Sequence, residues 1–146
     1  EFTGNKNMGT KKGLTAEEIL KMSDDDYMND EQLEFFRRRL SDMERELRAN
    51  ADQTTVNLRE TTVVPDPADR ATIEEEHALE LRTRDRERKL LKKVQAAIKR
   101  IDDSDYGYCE ETGDPIGVAR LMARPTATLS LEAQQRRELK QKMYGD

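Results

Sequence analysis

Tryptophan is absent from this chain of 146 residues, and cysteine and histidine occur only once each. A single cysteine excludes an intrachain disulfide and favours a reducing compartment. Only 7 glycines and 4 prolines argue against disorder and against an all-β fold with many turns. Apolar runs are no longer than two or three residues, so we expect no transmembrane segment or signal peptide, and a cytoplasmic protein.

Charge is what the chain has in excess. Charged residues make up 39 % of it and hydrophobic ones 34 %, whereas typical domains are roughly 25 % charged and 45–50 % apolar. This balance favours long solvated helices or a coiled coil over a thick globular core. The formal net charge of −5 does not indicate a nucleic-acid binder. We therefore expect one elongated, mainly α-helical protein.

A heptad pattern predicts a first long helix of about 30 residues from Glu31. Asn29 is a candidate N-cap, with Gln32 at the capping-box position. Apolar residues then recur at alternating steps of three and four, at Leu33, Phe36, Leu40, Met43 and Leu47. Beyond these positions the same register becomes polar.

A second long helix is predicted from Pro67 to Asp102. Two prolines two residues apart cannot lie inside a helix, but Pro67 can begin one if Asp66 caps it. Apolar residues follow a second heptad pattern at Leu91, Val94, Ile98 and Ile101. Because the connection between the helices is short, we expect an antiparallel coiled-coil hairpin.

Changes in composition divide the chain into five segments. They are a disordered tail at residues 1–13 whose first seven residues are either native or derived from a tag, an N-terminal helical segment at 14–30, the hairpin at 31–103 with its tip at 63–71, a glycine- and proline-containing region at 104–128 that resembles a degenerate zinc finger, and a C-terminal helix at 129–146. Thr15 and Glu18 form a capping box for the N-terminal helix. Leu131 and Leu139 are expected to pack the last helix against the base of the hairpin.

Five ordered motifs resemble the DksA/TraR family of bacterial RNA polymerase secondary-channel regulators. They are PDPADR at 65–70, EEEHALELR at 74–82, RDRERKLLKK at 84–93, DYGYCEETG at 105–113 and ARLMARPTATL at 119–129. The resemblance covers roughly residues 27 to 143. It implies a monomeric coiled-coil hairpin with a small finger domain at its base and a C-terminal helix.

The resemblance also implies a function. A family member binds RNA polymerase directly, enters its secondary channel and acts with guanosine tetraphosphate (ppGpp) in the stringent response, without catalysis, direct DNA binding or membrane contact. The residues that match functional positions are Asp66, Asp69 and Ala71 at the tip, Arg86 for polymerase binding, and Lys93 and Arg124 for ppGpp. A further basic position is Gln134 here, so coupling to ppGpp is expected to be weaker, and replacement by Arg136 or Arg137 is speculative.

The finger, which comprises residues 104–128 and meets the first turn of the last helix, departs from the family pattern. Relatives carry four zinc-binding cysteines in two C-x-x-C pairs, whereas this chain has Cys109 followed by Thr112, Ser130 and Ala133. Because a structural zinc site needs four Cys or His ligands, we expect no structural zinc and no other cofactor. Cys109 is interpreted as a small apolar residue rather than a redox sensor, because no neighbouring basic residue favours its thiolate and Glu110 and Glu111 oppose it. The finger would hold by apolar packing of Tyr106, Ile116, Val118, Leu121, Met122, Leu129 and Leu131.

Plainer interpretations remain open. Asp66 and Asp69 are also typical of turns and helix caps beside proline. The basic run at 82–93 is also typical of a solvated helix face. Two other functions remain, a transcript-cleavage factor whose tip acids hold a metal ion that activates water, and a structural coiled-coil adaptor.

Overall fold

The computed structural model describes the backbone of residues 13–60 and 67–145, and their side chains except those of 54–60, 67 and 68. The helices are α1 (Ala16–Lys21), α2 (Asp30–Glu60), α3 (Pro67–Asp102), α4 (Val118–Ala123) and α5 (Leu131–Tyr144), with a short 3₁₀ turn at Asp24–Asp26. Within these ranges there is no strand, and Tyr108 and Pro115 form an isolated antiparallel bridge. The predicted mainly α-helical fold class is confirmed.

Two predicted N-caps begin the first helices. The Thr15 hydroxyl accepts from the Glu18 N–H at 3.3 Å, and the Glu18 carboxylate accepts from the Thr15 N–H at 2.8 Å. At α2 the Asn29 side chain accepts from the Gln32 N–H at 2.9 Å. The Gln32 side chain does not reach back to the cap residue, as a capping box requires, but accepts from the N–H of Met28 at 2.9 Å. The buried Gln32 thus ties the start of α2 to the segment before it.

Helices α2 and α3 pack antiparallel with a heptad register. Arg37 forms an ion pair with Asp102, and seven residues further along α2 Glu44 accepts a hydrogen bond from Gln95 at 3.1 Å, seven residues earlier in α3. Hydrogen bonds from Gln95 and from Arg48 lower the pKa of the Glu44 carboxyl. The paired helices therefore run in opposite directions, and residues 60 and 67 lie at the end farthest from the finger.

The hydrophobic core lies at the base of the hairpin. Its buried members come from the segment before α2, from α2 and α3, and from the chain after α3: Met28, Phe36, Leu40, Leu47, Val94, Ala97, Ile101, Tyr106, Cys109, Ile116, Leu121, Ala127, Leu129 and Ala133. The predicted positions Leu33, Met43, Leu91 and Ile98 are half-buried beside it, as are Val118 and Met122. Ala97, which the heptad pattern did not single out, lies in the core because its small side chain fits where the finger meets α3.

The outer part of the hairpin buries far less. Leu79 is 57 % exposed and Leu81 is 51 % exposed. The predicted tip lies mostly outside the described residues, as do Asp66 and the tail at 1–12. Among the helices that are described, none is long and apolar enough to cross a membrane.

The predicted packing of α5 is wrong. Leu131 is 55 % exposed and Leu139 is 57 % exposed, and the buried residue of α5 is Ala133. The helix meets the finger through its first turn, where a small residue allows close approach, and the following turns extend into solvent. Its apolar side chains therefore have no surface within reach.

Candidate functional site

The outer end of α3 is acidic. Asp69 lies in the first turn of the helix, and its side chain and that of Ala71 are exposed. A carboxylate near a helix N-terminus interacts favourably with the helix dipole, so Asp69 supports the start of α3 while remaining accessible. Three more exposed acids follow, Glu74, Glu75 and Glu76. This end of the hairpin therefore presents negative charge to a partner.

Further along α3 a basic face begins. Arg82, Arg86, Lys89 and Lys93 follow one another at steps of four, three and four residues, which places them on one side of the helix. All four are exposed. Among the described side chains no ion pair involves Arg82 or Arg86, whereas Lys89 and Arg88 both contact Asp85. Arg86 is thus available for an external carboxylate or phosphate.

The basic face leads to a pocket at the base of the hairpin. This cavity of about 370 Å³ lies between α3, α4 and the start of α5. Its polar lining comes from Lys93, Arg120, Arg124, Thr126, Thr128 and Gln134, and Leu90, Ala96 and Ala97 supply an apolar side. The structure therefore brings the predicted residues Lys93 and Arg124 together with Gln134.

A hydrogen bond from the Tyr106 side chain fixes the loop after α4. The buried Tyr106 hydroxyl donates to the Pro125 carbonyl at 2.6 Å, and burial raises the pKa of this hydroxyl, so it remains a donor. The Arg124 N–H donates to the Arg120 carbonyl at 2.8 Å, and the Arg124 carbonyl accepts from Ala127 at 3.0 Å. These bonds hold the backbone of Arg124 at the rim of the pocket.

Cys109 is buried in the finger, and its backbone groups hold the turn that follows it. Its backbone N–H donates to the Asp114 carbonyl at 2.8 Å, and its carbonyl accepts from Gly113 at 2.9 Å. Burial raises the pKa of the thiol, but hydrogen bonds from the Thr112 hydroxyl and from the N–H groups of Ser130, Thr112 and Glu111 outweigh burial and lower the pKa from 9.0 to about 6. The interpretation of Cys109 as a small apolar residue is therefore incomplete, because the Thr112 hydroxyl and backbone N–H groups, rather than a basic neighbour, stabilise its thiolate.

The other positions at which relatives carry cysteine also lie where the turn after Cys109 meets the start of α5. Ser130 is the N-cap of α5, and its hydroxyl accepts from the Ala133 N–H at 3.2 Å. The side chain of Ala133 is fully buried. On the outer side, Arg137 forms an ion pair with Glu111 at 2.5 Å. These contacts link the turn after Cys109 to the first turns of α5.

The four positions do not fit a zinc ion. Ala133 offers no donor atom, the Ser130 hydroxyl is engaged as a helix cap, and the Thr112 hydroxyl accepts from the Asp114 N–H at 3.2 Å. Over residues 13–60 and 67–145 no group of three or more His, Cys, Asp or Glu side chains is placed to hold a metal ion. His77, the one histidine, lies on α3 in the outer part of the hairpin.

Tyr27 fastens the finger to the segment before α2. Its hydroxyl donates to the Gly107 carbonyl at 2.5 Å and accepts from the Gly117 N–H at 2.8 Å. Its ring packs edge-on against Tyr108, with centroids 5.6 Å apart. Gly107 has φ +93, and a Cβ there would lie 2.7 Å from Cγ of Met28, so glycine is required at this close approach.

Arg136 and Arg137 line a different surface. They border an open groove along α5 together with Glu111 and Tyr144, away from the pocket that contains Gln134. The speculative replacement of the missing basic residue by either arginine is therefore not supported. Sequence reasoning missed Arg120, whose spacing of four residues from Arg124 was the available signal.

A long antiparallel hairpin, acidic at its outer end and closed by a finger with a cationic pocket at its base, defines a class of small coiled-coil finger proteins. The chain belongs to the DksA family within this class. Residues 32–101 match the N-terminal domain of DnaK suppressor protein DksA, and residues 104–139 match the prokaryotic dksA/traR C4-type zinc finger.

Several named relatives align with most of the chain. The RNA polymerase-binding transcription factor DksA of Caulobacter vibrioides is 51 % identical over 124 residues, which cover 84 % of this chain and 87 % of the relative. The protein of the same name from Escherichia coli K12 is 47 % identical over 122 residues, covering 83 % and 81 %. The structure of transcription factor DksA2 from Pseudomonas aeruginosa superposes with a TM-score of 0.80 at 41 % identity, covering 88 % of this chain and 99 % of that one. These relatives are transcription factors rather than enzymes.

Proposed function

We propose that this protein is a bacterial transcription regulator that binds RNA polymerase directly in the cytoplasm, inserts its hairpin into the secondary channel and modulates initiation together with ppGpp. The observation that carries the proposal is the in-register α2–α3 hairpin, which projects Asp69 and Ala71 away from the finger. Identity to relatives named RNA polymerase-binding transcription factors supports the choice of partner. Binding uses one monomer and needs no direct contact with DNA.

The geometry supports separate binding roles for the outer end of α3, its middle and the pocket at its base. Asp69 and Lys93 are separated by about 36 Å along the helix axis, so one small ligand cannot touch both. Arg86 lies between them on the basic face. We propose that the outer acids act inside the channel, that Arg86 contacts an acidic polymerase surface, and that Lys93 and Arg124 contact ppGpp. Gln134 adds no charge, so the coupling to ppGpp is weaker than with a basic residue there.

The outer acids act by charge and shape. Hard cations prefer oxygen ligands, so the carboxylates of Asp69 and Asp66 attract or orient Mg²⁺ or displace polymerase elements near the active centre. The sequence around these acids offers no nucleophile–base pair, so the proposal assigns no catalysis to the hairpin itself. Destabilised initiation complexes would then lower transcription where open complexes are short-lived and raise it elsewhere.

We further propose that the finger folds without zinc. The supporting observations are the buried Ala133 without a donor atom, the engaged Ser130 hydroxyl and the hydrogen bonds to the Cys109 sulfur. Hydrogen bonds and the Glu111–Arg137 pair would then join the elements that a metal joins in a four-cysteine finger.

Substitution D69N tests the proposed role of the hairpin end. Transcription in vitro from a ribosomal RNA promoter, with and without ppGpp, is combined with competition binding to polymerase. We expect D69N to abolish regulation while its affinity for polymerase stays within about twofold, because one side chain at the outer end adds little contact area. The matched control is E76Q, which removes another exposed acid from α3 and should regulate normally. A D69N protein that regulates normally, or that fails to bind, would refute the proposal.

A further inference from the structure

We infer that Arg120 is a third cationic anchor of the pocket at the base of the hairpin, where it contacts the phosphates of a nucleotide that carries several of them. The inference rests on the proposed function and adds a residue to that site. Neither the heptad pattern nor the matched motifs assigned a role to Arg120. The charge of the pocket, the fixed orientation of Arg120 and the neutral side chain at position 134 support this role.

The pocket has positive charge without internal compensation. Lys93 enters from α3, Arg120 from α4 and Arg124 from the residue that ends α4. The lining includes no carboxylate, and no ion pair among the described side chains involves any of the three cations. Like charges that share a concave site repel one another unless an anion lies between them. The chemistry therefore favours an anionic ligand.

The composition of the lining narrows the ligand class. The hydroxyls of Thr126 and Thr128 can bond phosphate or sugar oxygens, and Leu90 with the two alanines offers an apolar surface of the kind a base can cover. A volume of about 370 Å³ is at the low end for a ligand pocket. Part of a nucleotide would fit, with the remainder against a bound partner.

Arg120 is held in place before any ligand binds. Its Nε donates to the Leu129 carbonyl at 3.0 Å, and the side chain is half-buried. This bond leaves both terminal nitrogens of the guanidinium free for the paired hydrogen bonds that phosphate accepts. A side chain that is already ordered loses less entropy on binding than the exposed Arg124.

Arg120 contributes more of the positive charge of the pocket because the residue at position 134 is not basic. The Gln134 side chain is neutral, and its amide donates to the Glu138 carboxylate at 2.7 Å along α5. Arg136 and Arg137 border the separate groove beside Glu111. Arg120 is the cation that remains on the finger side of the pocket besides Arg124.

The test measures binding of labelled ppGpp to the complex of the full-length protein with RNA polymerase, after subtraction of binding to polymerase alone. R120Q is expected to weaken this binding by about 10- to 100-fold, the loss of one charge-assisted contact. R120K keeps the charge but not the fork and is expected to lose less. R136A, in the other groove, is the matched control and should stay within twofold. Thermal melts of all four proteins report folding.

The outcomes separate this inference from the proposed function. If the complex with the unmodified protein binds no more ppGpp than polymerase alone, the nucleotide part of the proposed function fails, and the role of Arg120 fails with it. If that complex binds ppGpp and R120Q binds equally well, only the role of Arg120 is overturned. Equal losses in R120Q and R120K with lowered melting temperatures would indicate a structural role and also overturn it.

Discussion

The base and the outer part of the hairpin are made by the same two helices but differ in how much they bury. At the base Phe36, Leu40 and Val94 are inaccessible to solvent and pack with the finger, whereas Leu79 and Leu81 in the outer part are more than half exposed. Burial of apolar surface is the main favourable contribution to folding, so the free energy of folding is concentrated at the base. The outer part is therefore free to present charge to a partner.

The largest expected effect tests where the stability resides. F36A removes a fully buried ring that also packs against Tyr106, and should lower the free energy of unfolding by about 3–5 kcal/mol. The matched substitution L81A removes an exposed apolar side chain from the outer part and should change it by less than about 0.5 kcal/mol. Urea denaturation followed by circular dichroism measures both. Similar losses in the two variants would remove the distinction between base and outer part.

A second test concerns the contact between the finger and the segment before α2. G107A forces a residue with a Cβ into a backbone with φ +93 and against the Met28 side chain, so we expect a loss of about 2–3 kcal/mol. G113A is the control, because φ there is +78 but a Cβ would meet nothing within 4 Å. Strain alone should cost about 1 kcal/mol at that position. Equal melting temperatures of the two variants would contradict the close approach at Gly107.

The outer part should affect binding rather than folding. R86A is expected to weaken polymerase binding by about 10- to 100-fold, corresponding to about 1.5–3 kcal/mol for a charge-assisted contact. Its melting temperature should not change, because Arg86 is exposed. R84A removes a charge from another side of α3 and serves as the control. Unchanged affinity of R86A at physiological salt would restore the interpretation of a solvated helix face.

Over a single pH unit the smallest effect is a pH dependence that originates at the base. The folded-state pKa of Cys109, about 6, lies below its ordinary value of 9.0, so the thiolate stabilises the folded protein fully above pH 9 and this stabilisation is lost as pH falls through 6. Between pH 7 and pH 6 the loss should be about 1 kcal/mol. Glu44 and Asp85 have pKa values lowered from 4.5 and 3.8 and titrate in a lower range.

Denaturation at several pH values checks this expectation, and thiolate absorbance titrates Cys109 directly. C109S should abolish the slope between pH 9 and pH 6. A slope that persists in C109S would assign the pH dependence to another group.

The hairpin could be predicted from the sequence because burial in a coiled coil depends on periodicity. The steps of three and four from Leu33 to Leu47 locate the seam of α2, and Pro67 marks the start of α3. The resemblance to a known family supplied the candidate positions Asp69, Arg86, Lys93 and Arg124. The separation of Asp69 from Arg86 and Lys93 along α3 follows from the helix itself, whereas the position of Arg124 at the end of α4 follows from the fold of the finger.

The finger could be predicted only in part, because it is built by contacts between distant segments. Exposure of Leu131 and Leu139 depends on where α5 leaves the finger, which its own sequence does not encode. The lowered pKa of Cys109 comes from the Thr112 hydroxyl and from backbone N–H groups, including that of Ser130, which only the fold brings to the sulfur. Arg120 reaches the pocket because Leu129 accepts its Nε, a bond that spacing alone does not predict.

We propose that the base of the molecule, finger included, is held by packing and hydrogen bonds rather than by a metal ion. Zinc content of the purified full-length protein, with thermal melts before and after a strong chelator, tests this most directly. We expect far less than one zinc per chain and a melting temperature unchanged by chelation. Stoichiometric zinc, or a melting temperature that collapses with the chelator, would contradict it.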